Sequence, residues 1–199
     1  MEWSLKRTVA PPELPVMVSE AKEQSRIDTS AEDALVERLI GSATDHIEGP
    51  YGIGVCLVEQ TWELKLDYFP RVIELPLFPV LSVDKVEYED GDGVIQTVDA
   101  STYRVDTHSN PARISLEWNQ SWPLPRRVAG AVTVTFQAGY AQDNGDYTAN
   151  IPDSLRHAVL LLAAHWYENR EGVVVGATAS ELPMAVESLI SKYRVPGIA

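Results

Sequence analysis

The sequence predicts an α+β fold: a small helical bundle built from N- and C-terminal helices, with an antiparallel β unit inserted between them. Three observations carry this. Apolar residues recur at helical spacing near both ends of the chain, the period shortens to two from Val55 to Tyr140, and turn residues punctuate the middle at short intervals. Residues 1–18 contain Pro11, Pro12 and Pro15 and read as an extended arm, because proline removes backbone donors and biases its neighbour away from helix. Ser19 is placed to cap a short helix running to about Ile27, with Glu20 and Glu23 in the first turn where the helix dipole favours acids. Ser30, with Asp33 three residues on, opens a second helix whose Leu35, Leu39, Ala43 and Ile47 recur at four-residue steps, widened by Val36 and Ile40. Gly49-Pro-Tyr-Gly52 stops it.

In the middle of the chain, Gln60 to Asp67 alternates strictly, so that Trp62, Leu64 and Leu66 share one face and Thr61, Glu63, Lys65 and Asp67 the other. Strands are likewise expected at Val83–Tyr88, Val94–Val98, Tyr103–Asp106, Arg113–Leu116 and Val132–Phe136, with Asp90-Gly-Asp-Gly93 turning between two of them. Helical period returns after Pro152, where Leu155, Val159, Leu162 and Trp166 form a stripe flanked by Ala158, Leu161 and His165. Small residues follow Gly172, and Pro183 is placed to start a last helix carrying Met184, Leu189, Ile190 and Tyr193. The expected division is an arm at 1–18, a helical bundle of 19–54 plus 149–171, a β domain at 55–148, and a linker, helix and tail at 172–199.

Composition narrows the function classes. The chain has 199 residues, 45% apolar and 23% charged, with 16 basic residues against 29 acidic ones, a net charge of −13, and one cysteine. That is an ordinary globular composition, with no internal disulfide possible and no stretch near the roughly 20 apolar residues needed to span a bilayer. We expect a soluble protein with no membrane association and no export signal. Nucleic-acid readers cluster basic residues to neutralise phosphates, and no such cluster is visible.

No residue commends itself as catalytic, and no cofactor is implied. His165 with Glu168, and Asp153 with His157, share a helix face, but a carboxylate-bridged metal site needs a second Glu-x-x-His that the chain lacks. Asp90-Gly-Asp-Gly93 and Asp143-Asn-Gly-Asp146 read as tight turns, because neither completes a calcium loop. The serines lack a nucleophile elbow, Cys56 has no local catalytic signature, and the glycines do not form a phosphate-binding loop. Trp118 and Trp122 fit core or interface packing better than a sugar platform. A ligand- or carbohydrate-binding β module, or an enzyme, is the alternative reading.

The order of segments resembles a known family. Leu5-Lys-Arg-Thr-Val-Ala-Pro-Pro-Glu-Leu-Pro-Val, Ser19-Glu-Ala-Lys, Asp33-Ala-Leu-Val-Glu-Arg-Leu-Ile and Ala43-Thr-Asp-His-Ile-Glu are similar to the amino-terminal helices of head-tail connector (adaptor) proteins of tailed phages and gene transfer agents. Gln60 to Asp67 and Ile151 to Glu171 look like that family's mid-chain strand and long C-terminal helix. The resemblance implies a non-enzymatic neck protein, assembled in the bacterial cytoplasm into a homo-oligomeric ring, dodecameric in the family. Its implied partners are the portal protein and a downstream neck, stopper or tail protein, with double-stranded DNA passing through as cargo. A ring of identical subunits needs two different contact surfaces per copy, and a helix apolar over much of its circumference can supply them. The expected subunit and portal interface is Leu160, Leu161, Trp166, Tyr167, Arg170, Val173, Val174, Val175, Leu189, Tyr193 and Arg194, and the C-terminal region from Gly172 to Ala199 is expected to order on the portal.

Overall fold

The computed structural model describes residues 3–170 and 184–195. Strand β1 (Trp3–Val9) is followed by helices α1 (Val18–Ser25) and α2 (Asp33–Ile47), then by seven strands: β2 (Gln60–Leu66), β3 (Val72–Leu75), β4 (Val80–Glu89), β5 (Ile95–Thr97), β6 (Tyr103–Asp106), β7 (Ala112–Leu116) and β8 (Val132–Ala138). Helices α3 (Asp153–Glu168) and α4 (Met184–Ile190) complete the order. Among the described residues, no helix is long and apolar enough to cross a membrane.

The expected arrangement of a small helical bundle carrying an inserted β unit is overturned. The strands form two antiparallel sheets, one of five in the order β1-β2-β8-β4-β5 and one of three in the order β3-β7-β6. Their inner faces enclose a core of their own, with Trp62, Leu64 and Leu66 of β2, Val132, Val134 and Phe136 of β8, and Ile73, Leu75 and Ile114 of the smaller sheet. The physical reason lies at the N-terminus. Trp3-Ser-Leu-Lys-Arg-Thr-Val alternates like a strand, and it pairs with β2 from Trp3 opposite Leu66 to Arg7 opposite Trp62. The sheet module therefore recruits the arm. The second unforeseen strand, β3, is four residues between Pro70 and Pro76.

Four helices of 8, 15, 16 and 7 residues pack into a separate core. Val36, Ile40, Ala43 and Ile47 of α2 face Leu155, Ala158, Val159 and Leu162 of α3. Four residues of the expected stripe on α2 are thus buried, while Leu35 and Leu39 are only half-buried. Helix α1 begins one residue before Ser19, with Met17 as its cap, whose N–H donates to the Glu20 carboxylate at 2.7 Å. The region beyond Gly172 also departs from expectation: Val186, Ile190 and Val195 are buried in the helical core, so residues 184–195 order on the subunit itself.

The connection from α2 to β2 joins the two cores. Val55, Leu57 and Val58 enter the helical core, while Cys56 between them enters the sheet core. Gly52 lets the chain turn back tightly, since a Cβ there would sit 2.1 Å from the Ile47 carbonyl oxygen. Gly139, with φ of +130° and no room for a Cβ beside the Val58 carbonyl, does the same where β8 leaves the sheet.

Candidate functional site

The expected interface residues fall on α3, α4 and the turn after it. Leu160, Leu161, Trp166, Tyr167, Leu189 and Tyr193 are all half-buried and lean on the helical core, while Arg170 and Arg194 are exposed. Val173, Val174 and Val175 lie outside the described residues. Leu160 and Leu161 lie mid-way along α3, and the rest of the described set lies toward its two ends. At the C-terminal end of α3, the Tyr167 hydroxyl donates to Glu32 Oε2, and Arg170 Nη2 reaches Glu32 Oε1 at 2.8 Å with its guanidinium 4.5 Å from the Tyr167 ring centre. The Tyr167 hydroxyl and Arg170 hold the Glu32 carboxyl below its ordinary value. Trp166 meets His46 of α2 edge to face, with ring centres 5.9 Å apart. Leu189, Tyr193 and Arg194 sit near the other end, where Lys192 Nζ lies 3.4 Å from Ser154 Oγ and Arg194 pairs with Glu187 at 3.4 Å. At about 1.5 Å per residue, Ser154 and Trp166 are separated by about 18 Å along α3.

At the junction of the two cores a buried carboxylate holds three segments together. Glu48 follows the last turn of α2; its Oε2 accepts from the Leu57 N–H at 3.1 Å and its Oε1 from Gln60 Nε2 at 2.5 Å, with Arg7 of β1 at 3.8 Å. Burial pushes its pKa up, against the opposing pull of Gln60, Leu57 and Arg7. Burial likewise pushes the nearby Cys56 thiol well up, so the chain's one cysteine is an inert core residue rather than a nucleophile. Sequence reasoning missed Glu48, because one acid among 29 carries no mark of burial; its place beside Gly49-Pro50, where the chain turns toward the sheet, was the available hint.

Beside Glu48 a cleft of about 650 Å³ separates the proline-rich segment 10–18 from α2. Glu13, Glu37 and Asp45 line it with Arg7, and no histidine, cysteine, serine or lysine does. Both oxygens of Glu48 are engaged in holding the backbone and Gln60, and the Thr44 and Thr148 hydroxyls at the cleft donate to the Ile40 carbonyl and to Asp146. Among the described residues there is no group of three or more His, Cys, Asp or Glu able to hold a metal, and His165 instead faces Asn169. The two tryptophans separate: Trp122 stacks on Phe69 at 4.7 Å, whereas Trp118 is 93% exposed, so they do not form a paired platform.

The model of the phage gp6-like head-tail connector proteins matches residues 15–84 and 126–194, which takes in the helices, β2, β3, much of β4, and β8. The chain belongs to that family. Solved structures agree with this. The connector is 28% identical to a chain in the neck of an empty gene transfer agent particle, with a TM-score of 0.77 over 96% of this chain and 95% of that one. A chain from the virion of a native gene transfer agent particle is 27% identical, with a TM-score of 0.75 over 98% and 99%. A third, from the neck of a native particle computed with C12 symmetry, is 26% identical at a TM-score of 0.74 over 96% and 95%. No curated protein matches the connector. The family and these neighbours are structural particle components.

Proposed function

We propose that the connector is a non-enzymatic adaptor of a phage or gene transfer agent neck, forming a ring of identical subunits beneath the portal and joining the DNA-filled head to the next neck or tail protein. The likeness to neck chains over nearly the full length of both molecules carries this reading, and the C6 and C12 symmetries with which those two necks were computed are both compatible with the twelve subunits that the reading takes. A ring closed by rotation joins two different faces of each copy. The spread of the expected interface from α4 along about 18 Å of α3 offers each copy more than one region for such contacts. In this reading the helical unit, residues 19–54 plus 149–171, faces the portal. Leu160, Leu161, Trp166, Tyr167, Arg170, Leu189, Tyr193 and Arg194 contribute to subunit and portal contacts, together with Val173, Val174 and Val175. The net charge of −13 suits a conduit through which DNA slides, because basic walls would retain the phosphates.

Co-assembly tests the proposal. Purified connector added to portal-bearing heads that lack it should produce a ring under the portal, visible by electron cryomicroscopy. Heads that remain bare at saturating connector would overturn it.

A further inference from the structure

Ladder register sorts the molecule's exposed apolar side chains by end. Trp3 pairs opposite Leu66, Leu66 opposite Val132 and Val132 opposite Tyr88, whereas Gln60, Val80 and Ala138 mark the opposite end, next to the helices. Large exposed apolar residues lie across the end remote from the helices, among them Trp3 on one edge strand, Tyr68 after β2, Val94 and Ile95 at the β4–β5 turn on the other edge, and Trp118 and Leu124 in the β7–β8 connection. Trp118 is 93% and Leu124 85% exposed.

This exposure belongs to an anchored loop. Trp122 stacks on Phe69, Arg104 grips Glu117 through two bonds of 2.9 and 3.3 Å, and Arg126 pairs with Glu89 at 2.7 Å. The Gly130 N–H donates to Asp67 at 2.8 Å. Both flanks of Trp118 and Leu124 are therefore tied to the sheets, and the arginines Arg104 and Arg126 are already neutralised. Exposed aromatic and apolar side chains on a backbone tied down at both flanks are what a protein interface centres on, because little of the backbone remains to be ordered on docking.

We infer that this tip docks a protein other than the connector itself: the neck or tail component on the side of the ring away from the portal, through an apolar pocket that accepts Trp118. Two observations select that occupant. The family match stops at residue 84 and resumes at 126, so Val94, Ile95, Trp118 and Leu124 lie between the matched stretches, although the gene transfer agent neck chains align with 96–98% of the connector. Contacts that every family member needs for its ring belong on the matched residues, and a contact particular to some particles belongs on the stretch between. Position points the same way. Strand β2 spans seven residues, or about 20 Å at about 3.3 Å each, and it holds the tip away from the helices assigned above to the portal.

The inference rests on the proposed neck role, and the test separates the two. Particles are assembled with wild-type connector or with the double variant Trp118→Ala/Leu124→Ala, whose changes lie on exposed side chains, and thermal unfolding of both proteins checks the fold. The variant should still form rings on DNA-filled heads, while tailed particles fall at least about tenfold and ring-bearing heads accumulate beside free tails. Tailed particles at wild-type yield would overturn the inference and leave the neck role standing. Loss of the ring itself from the variant's heads would also overturn it, by assigning the tip to ring or portal contact. Absence of wild-type connector from necks would remove the reading on which it rests.

Discussion

Glu48 is the residue on which the joint between helices and sheet depends. Its two oxygens satisfy a buried backbone N–H and one N–H of the Gln60 amide, so its removal orphans the Leu57 N–H and leaves Gln60 only its bond to the Val58 carbonyl. Glu48→Ala should destabilise the subunit by about 1–3 kcal/mol in chemical denaturation. Glu48→Gln should cost less, because its amide oxygen can still accept a hydrogen bond in the place of one carboxylate oxygen. The two variants also differ in pH response. Burial raises the folded-state pKa of Glu48 above its unfolded value, so the folded state binds this proton more tightly. Stability from this group is fully present below the ordinary carboxylate value and is lost as pH rises through the raised one. Unfolding free energies measured across that window should show the decline in wild type and lack it in Glu48→Gln.

At the level of elements, the seam between α2 and α3 carries the helical half. Ile40 is fully buried there, and Ile40→Ala should cost about 2–5 kcal/mol in the same unfolding measurement. Periodicity made the long helices and most strands legible, since β2 shows the alternating burial its sequence announces and α3 buries Leu155, Val159 and Leu162 of its expected stripe. It failed where local cues were outvoted. Prolines at 11, 12 and 15 made residues 1–18 read as one extended arm, yet the prolines begin after Val9 and leave Trp3–Val9 free to pair with β2. The half-buried interface candidates pose a different problem. Apolar spacing marks a helix flank as wanting cover, but it does not say whether the subunit or a neighbour provides it, and Trp166 receives part of its cover from His46.

Across the whole molecule, the mixture of helix and sheet was readable and the balance between them was not. Short strands separated by turns look alike whether they form one small sheet or two that close on each other, because the choice depends on pairings such as Ile73 with Ile114 across 40 residues of chain. The tip was half legible: Trp118 and Trp122 stand four residues apart in the sequence, and only the folded backbone sends one inward and the other into solvent. The segment from Val55 to Val58 has a mechanical meaning for such a body. Because neighbouring side chains on one short stretch are rooted in opposite halves, neither half can loosen while the other stays intact. Scanning calorimetry should therefore record one endotherm rather than two, and a load applied at the sheet end would arrive at the helices undiminished by any compliant hinge.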